Sequence, residues 1–326
     1  MRDVLVKAKA KMGKIPDKDL YVALANESDI DKKIDILSKA YPRIDNRKDK
    51  KALEADNFKW MLDELKSMDY FLHGLESDFY NLYFSKYEIL FLQEIIESIV
   101  NHNYKRNLVR FRANPLSNNF ILTDDMDLES FTNANKSSKY YRTLLPYLNE
   151  NMQASSLIFL SSNALIKFYY RSLLKLAKKF NRKERKQIET FIGEEINLLN
   201  FEMLYRLKSY YDLNESDIFN YLIEGGNTFN GSRLKELSLL PLEDFIKKMS
   251  TSKYKNIFDD YAHTHRQVRK RELKLYYGEI TKQACDILYV ISAMNIMFIS
   301  GENIDALLEV DDSFTVDEAM EYLIVR

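Results

Sequence analysis

Apolar residues recur at helical spacing along almost the whole chain. Ile196, Leu199, Met203, Leu207 and Tyr210 stand at i, i+3, i+7, i+11 and i+14, the stripe of one face of a long helix. Glu202 and Arg206, four residues apart, share another face of it. The pattern runs out in the polar segment 211–217, where Asn214 or Ser216 is placed to cap a short helix carrying Ile218, Tyr221 and Leu222. Gly225-Gly226-Asn227 is expected to close that helix, because glycine accepts the left-handed conformation found after helix C-termini. Upstream, residues 56–68 and 70–104 read as two further helices, the second long. Joints are expected at 112–125, which is polar and contains Pro115, and at 225–233.

Internal repetition organises these helices. Leu128-Glu129-Ser130-Phe131, followed by Ser138-Lys139-Tyr140, recurs as Leu242-Glu243-Asp244-Phe245, then Ser252-Lys253-Tyr254, at a constant offset of 114 residues. A weaker third copy begins at Ile30-Asp31 and reaches Ser38-Lys39-Ala40-Tyr41. Each copy is associated with longer amphipathic helices that end in an apolar stretch, at 87–96, 195–204 and 291–299. Matching apolar positions pairs Asn295 with Asn200. Any two amphipathic helices resemble each other, so the gapless match carries more weight than the stretches. The expected organisation is an all-α chain of three helical repeats, 1–111, 112–226 and 227–326.

Composition agrees. Only 8 Gly and 5 Pro occur in 326 residues, too few for the turns of a β-rich or dinucleotide-binding fold. Hydrophobic residues at 46% and charged ones at 30% place the chain among globular proteins. Lys and Arg (48) balance Asp and Glu (49), without the basic excess expected of a nucleic-acid-binding domain. Cys285 alone permits neither an internal disulfide nor a multi-cysteine zinc site, and fits a reducing, cytoplasmic setting. The N-terminal apolar run is too short for a signal peptide. The most apolar late stretch, 284–300, carries Asp286 and Asn295 and is not read as a membrane span.

Catalytic signatures are missing. Gly225-Gly226 with Gly231-Ser232 lacks the G-x-x-x-x-G-K-[ST] order of a phosphate loop, and no G-x-S-x-G occurs. His263 and His265 point to different helix faces and lack an acidic ligand set, so no metal site is expected, and nothing indicates a cofactor. The basic run 265–274 stands out, with Arg266, Arg269 and Arg271 at its centre. It reads first as a solvated helix face. The functional readings are an electrostatic dock for an acidic partner or phospholipid head groups, and then RNA or DNA, which the neutral overall balance disfavours. The 22 tyrosines suit core edges or interfaces, and in each of Tyr169-Tyr170, Tyr210-Tyr211 and Tyr276-Tyr277 one ring is expected to face outward.

One helix resembles a known family. Asn197-Leu-Leu-Asn200, followed by Arg206 and Lys208, is similar to the D/N-L-L-N-x-x-x-x-x-R-x-K helix of the C subunits of bacterial and archaeal V/A-type rotary ATPases. Those proteins are in turn similar to the d subunits of the eukaryotic vacuolar enzyme. Leu222-Ile223-Glu224-Gly225-Gly226 resembles the family's Leu-Ile-Pro-Gly-Gly turn, with Glu224 where Pro is usual. The opening segment 6–15, Leu24, Ile36-Leu37 and Tyr41 fit as well. In the last repeat the family's Glu-Ile-Arg-Asn-Leu-Arg corresponds to Ser292-Ala293-Met294-Asn295-Ile296-Met297, so both arginines have become methionine.

The resemblance implies three similar helical bundles arranged as a pseudo-threefold funnel. It implies a non-catalytic central-rotor subunit, a socket between the central shaft and the proteolipid rotor ring that transmits torque for ATP-driven proton or sodium transport. Such a subunit lies on the cytoplasmic face of the membrane, peripheral through its partners, without nucleic acid. Arg206 and Lys208 of the matching helix, with Arg266, Arg269 and Arg271 of the basic run, are the expected partner contacts. The alternative is a free-standing helical adaptor that binds an acidic protein or RNA through the 266–274 face.

Overall fold

The computed structural model describes residues 2–41, 44, 50–148, 152–211, 213–258 and 263–325. Among these residues the fold is all-α, without strands. The helices are α1 (Arg2–Met12), α2 (Lys18–Ala25), α3 (Ile30–Ala40), α4 (Lys50–Asp69), α5 (Leu75–Phe84), α6 (Lys86–Val100), α7 (Tyr104–Ala113), α8 (Leu128–Ala134) and α9 (Tyr141–Leu144). There follow α10 (Ala154–Ala177), α11 (Arg182–Tyr210), α12 (Glu215–Ile218), α13 (Gly231–Leu239), α14 (Leu242–Ser250), α15 (Thr264–Lys282), α16 (Asp286–Glu309) and α17 (Val316–Tyr322). They gather into two compact units. One comprises Met1–His73 with Lys186–Arg326, the other Gly74–Arg185.

The first unit is built around α16. Every residue from Ile287 to Gly301 is buried, as expected of a helix that is apolar all round. Its length and composition would suffice to cross a membrane, but 94% of its apolar window is covered by the unit itself. The covering helices are α1, α2, α4 and α15. A smaller cluster joins the two ends of the chain: Tyr21, Leu24 and Leu37 of α2 and α3 pack with Ile304 and Leu307 of α16 and with Ala319 of α17. The end of α16 is held by Lys33, whose buried ammonium donates to the carbonyls of Leu307 (2.7 Å) and Val310, acceptors that have no partner within the helix.

The second unit has an aromatic core. Phe79 meets Phe180 edge-on at 5.4 Å, Phe91 meets Phe111 at 5.9 Å, and Tyr140 meets Phe168 at 5.8 Å. The buried Tyr169 hydroxyl donates to the Tyr83 carbonyl (2.7 Å) and ties α10 to α5.

Two expectations about elements need correcting. The long helix expected over 70–104 is two, α5 and α6, preceded by a turn. Gly74 adopts a left-handed φ of 55° just before α5, and the Ser85 hydroxyl turns back onto the Leu82 carbonyl (2.7 Å) between them. The buried stripe of α11 is also rotated from the expected one. Phe201, Leu204 and Leu207 are buried, whereas Tyr210 is 71% exposed, and its neighbour Tyr211 is exposed too.

Candidate functional site

Polar side chains line the buried face of α11 in the first unit. Glu194, Glu195, Asn197 and Asn200 are all buried, so each needs partners within the fold. Asn200 Oδ1 accepts from the Ile223 N–H (2.8 Å) and its Nδ2 donates to the Ile223 carbonyl (2.7 Å). Asn197 Oδ1 accepts from Phe229 N (3.3 Å), and its Nδ2 donates to the Tyr254 hydroxyl (3.2 Å) and to Asn227 Oδ1. The two amides thereby hold the segment 222–229 against the helix.

Glycine makes that approach possible. Asn227 N donates to the Gly193 carbonyl (3.2 Å). A Cβ on Gly193 would lie 2.7 Å from the Asn227 nitrogen, and one on Gly226 would lie 2.4 Å from the Phe229 carbonyl oxygen. Gly225 has the positive φ expected of it, but beyond the end of the 3-10 turn Phe219–Tyr221 rather than directly at a helix terminus. The glycines therefore shape a loop that crosses α11, where a simple helix cap was expected.

The same helix carries a carboxylate clasp. Glu194 Oε2 accepts from the Tyr254 hydroxyl (2.8 Å) and from Lys253 Nζ (2.9 Å), while the Ser252 hydroxyl accepts from Tyr254 N (3.1 Å). Burial raises the Tyr254 phenol above its ordinary range. Burial works against the charge on Lys253, but its hydrogen bonds with Tyr254 and Glu194 leave its pKa raised.

In the second unit the gapless repeat builds the same arrangement. Glu88 Oε2 accepts from the Tyr140 hydroxyl (2.7 Å) and Lys139 Nζ (2.7 Å), and the Ser138 hydroxyl accepts from Tyr140 N (3.2 Å). In the weaker third copy the Tyr41 hydroxyl donates to the Lys14 carbonyl at 3.4 Å.

The amide device recurs too. Asn303 Oδ1 accepts from Ile324 N (2.8 Å) and its Nδ2 donates to the Ile324 carbonyl (2.9 Å). In the second unit Asn135 grips Ile121 in the same way, at 2.8 and 3.2 Å. Ile121, Ile223 and Ile324 follow one another at intervals of 102 and 101 residues. Asn303 thus makes the contact that Asn200 makes, from a position eight residues beyond Asn295. Asn295 Nδ2 donates to the Ile291 carbonyl of its own helix (2.9 Å).

The basic residues expected at a partner contact lie on α11 and α15. Arg206 is exposed. Lys208 is half-buried, its ammonium on the Ser238 carbonyl (2.8 Å) and the Leu240 carbonyl at the end of α13, and burial lowers its pKa. Arg269 pairs with Glu272 (2.7 Å) and Glu302 (2.5 Å). Burial opposes its charge, but these two carboxylates hold its pKa well above the ordinary value. Arg266 lies over the Tyr322 ring at 5.3 Å and Arg271 over the Tyr254 ring at 5.7 Å. His265 Nδ1 meets Glu202 Oε1 at 2.9 Å. The run is thus largely packed against its own unit, and not the solvated face its composition suggested.

Beside it, α2, α15, α16 and α17 surround a cavity of about 880 Å³. Ile296 and Ile299 are among its apolar lining residues, and Lys18, Lys270, Asp317 and Glu321 bring both signs of charge. Among the described residues no group of three or more His, Cys, Asp or Glu side chains gathers to hold a metal ion.

The family model for the ATP synthase (C/AC39) subunit matches residues 4–297. The chain belongs to this family. Its curated relatives include the C subunit of the A-type ATP synthase of Methanococcoides burtonii, 27% identical over 165 residues, or 50% of this chain and 41% of that one. The corresponding protein of Methanosarcina acetivorans is 31% identical over 126 residues, 39% of this chain and 32% of the relative. That of Archaeoglobus fulgidus is 30% identical over 125 residues, 38% and 33% of the two chains. The aligned part of the chain therefore spans well under half of each relative's length.

Geometry explains why the two sequence motifs of the family resemblance occur together. Asn197 and Asn200 of the helix motif hold the backbone around the Leu222–Gly226 turn. Glu224, which replaces the usual Pro, is exposed. At the other end, Met294 and Met297 are buried in α16, the position at which the family match stops. An arginine there would bring an ion into the core and require a carboxylate with it.

Two features of the structure have no signal in the helical pattern. The carboxylates of the Glu88 and Glu194 clasps lie 52 and 60 residues before their tyrosines. The run 175–186, with seven cations and one acid, stands out only once its place at a corner of the fold is known.

Proposed function

We propose that the chain is a non-catalytic central-rotor subunit of a V/A-type rotary ATPase, a socket that joins the central shaft to the membrane rotor ring and transmits torque for proton or sodium transport. The family match over residues 4–297 carries this reading. The curated relatives are named as C subunits of A-type ATP synthases, which agrees with it. The repeated devices favour a threefold plan of repeats 1–111, 112–226 and 227–326 forming a pseudo-threefold funnel. Two clasps of the same chemistry have their tyrosines in the second and third of these repeats, and Ile223 and Ile324, in the same two repeats, are each gripped by an asparagine. In a closed ring of three repeats the first and last must meet, and α2 and α3 do pack with α16 and α17.

Torque transmission requires stiffness, and buried, fully paired polar groups supply it by fixing one packing. In this proposal exposed Arg206 contacts a neighbouring subunit. Lys208, Arg266, Arg269 and Arg271 act from within, holding α11, α13 and α15 in the geometry that presents it. The adaptor alternative draws no support from α15, because Arg269 and Arg271 are engaged within the unit.

The test is native purification of a tagged chain from detergent-solubilised membranes. Shaft subunits and proteolipid are expected with it, and Arg206→Glu should weaken their recovery without altering the fold. A chain recovered soluble and free of ATPase subunits would sink the proposal.

A further inference from the structure

The corner between α10 and α11, in the second unit, carries an unpaired cluster of cations. Lys175, Lys178, Lys179, Arg182 and Lys183 stand within nine residues that contain no acid. All five are exposed, and none takes part in an ion pair among the described residues. Nearby Glu184 receives a hydrogen bond from Asn181 Nδ2 (2.6 Å). Elsewhere in this unit exposed cations do find carboxylates: Lys105 meets Asp125 at 2.7 Å, Arg110 meets Glu94 at 3.1 Å and Arg112 meets Asp124 at 2.8 Å.

Intramolecular electrostatics does not account for the cluster. Lys175 and Lys178 suit the negative end of α10, but Arg182 and Lys183 sit at the positive end of α11, where cations are unfavourable. The like charges also repel each other across one turn of chain. The residues between them turn inward, with Ala177 and Phe180 buried.

We propose that this corner binds anionic lipid head groups of the membrane on which the subunit works. The charge pattern stands by itself; the presence of a membrane rests on the function proposed above. Lysine predominance separates the candidate partners. Cores of protein interfaces are depleted in lysine and enriched in aromatic side chains, and here four of the five cations are lysines with no exposed ring among them. Long, flexible ammonium groups on an exposed corner match instead a diffuse anionic surface. On such a surface each basic residue adds an increment of affinity without shape complementarity.

The purified full-length chain is mixed with vesicles of phosphatidylcholine alone, or with about a third phosphatidylserine, and binding is read by flotation. Binding is expected to the anionic vesicles only, and to vanish near 1 M salt, where the screening length falls to about 3 Å. Each cation near an anionic surface contributes about fivefold in partitioning, so the triple variant K178Q/K179Q/K183Q should bind on the order of a hundredfold more weakly. Its circular dichroism should match the parent's, since all three residues are exposed. A control that removes as much charge from α7, K105Q/R106Q/R110Q, should retain most binding.

Equal loss in the control, undiminished binding by the triple variant, or no binding by the parent would overturn the proposal. So would tighter binding to a single-stranded RNA oligomer that shows the same sensitivity to the triple variant. The vesicle assay contains no ATPase. A chain that binds anionic vesicles through this corner yet fails to co-purify with shaft and ring would refute the rotor assignment and leave the lipid site standing.

Discussion

A primary amide presents one acceptor and two donors, and at three positions the chain uses it to replace a strand-like partner for a single residue's backbone. Asn200 gives Ile223 both the acceptor and the donor it would find in a sheet, and both residues are buried. Truncation of this side chain leaves a buried N–H and a buried carbonyl unmatched, each costing about 1–3 kcal/mol. Asn200→Ala should lower stability by about 3 kcal/mol and Asn303→Ala, whose partner Ile324 is only half-buried, by less, each read as a shift in urea midpoint at constant slope. A loss under about 1 kcal/mol would mean that the backbone finds other partners.

His265 offers a second measurement at this scale. Its hydrogen bond with Glu202 raises its pKa, against opposing burial. A histidine whose folded pKa is raised contributes stability in its charged form. That contribution is complete below the unfolded value, near 6.5, and is lost as pH rises through the folded value. Stability of the parent should therefore fall as pH rises through and above about 6.5 more than that of His265→Gln, with the two curves parallel at higher pH. Identical pH profiles for the two proteins would show that the contact contributes nothing in solution.

Between elements, the two clasps are one device used twice, which makes them separable by double-mutant cycles. A hydrogen bond to a charged group contributes about 1.5–3 kcal/mol. Coupling of that order is expected between Glu88 and Tyr140 and again between Glu194 and Tyr254, using Glu→Gln and Tyr→Phe. Coupling in one pair but not in the other would mean that the shared geometry conceals different energetics.

The Ser-Lys-Tyr half of each clasp is visible in sequence, because chemistry repeated at a fixed offset survives divergence. The glutamate half is not, because its distance from the tyrosine differs between copies and a lone Glu on a helix reads as solvated. Periodicity identifies α11 but not the face it buries, since Asn197 and Asn200 count as polar in any apolar pattern and yet lie at its centre. The break between α5 and α6 is hidden for a related reason. Ser85 folds its hydroxyl onto a helix carbonyl, and the apolar rhythm runs on across it. The basic run on α15 fails as a surface signal because its partners, Glu302, Tyr322 and Tyr254, lie on other elements.

Over the whole molecule, what the sequence separates most widely the first unit joins. Tyr21, Leu24 and Leu37 share one core with Leu307, Leu308, Ala319 and Leu323, and Lys33 closes the end of α16 from the opposite end of the chain. Neither end buries its apolar face without the other, so α2, α3, the last turns of α16 and α17 should open together. In native-state hydrogen exchange their slow amides are expected to lose protection at one common denaturant concentration, as a single cooperative unit. Leu307→Ala should lower that concentration for both ends equally, with a cost of about 2–5 kcal/mol for a fully buried leucine. Had α2 and α3 merely rested on a finished core, their amides would exchange first and Leu307→Ala would leave that early step unmoved.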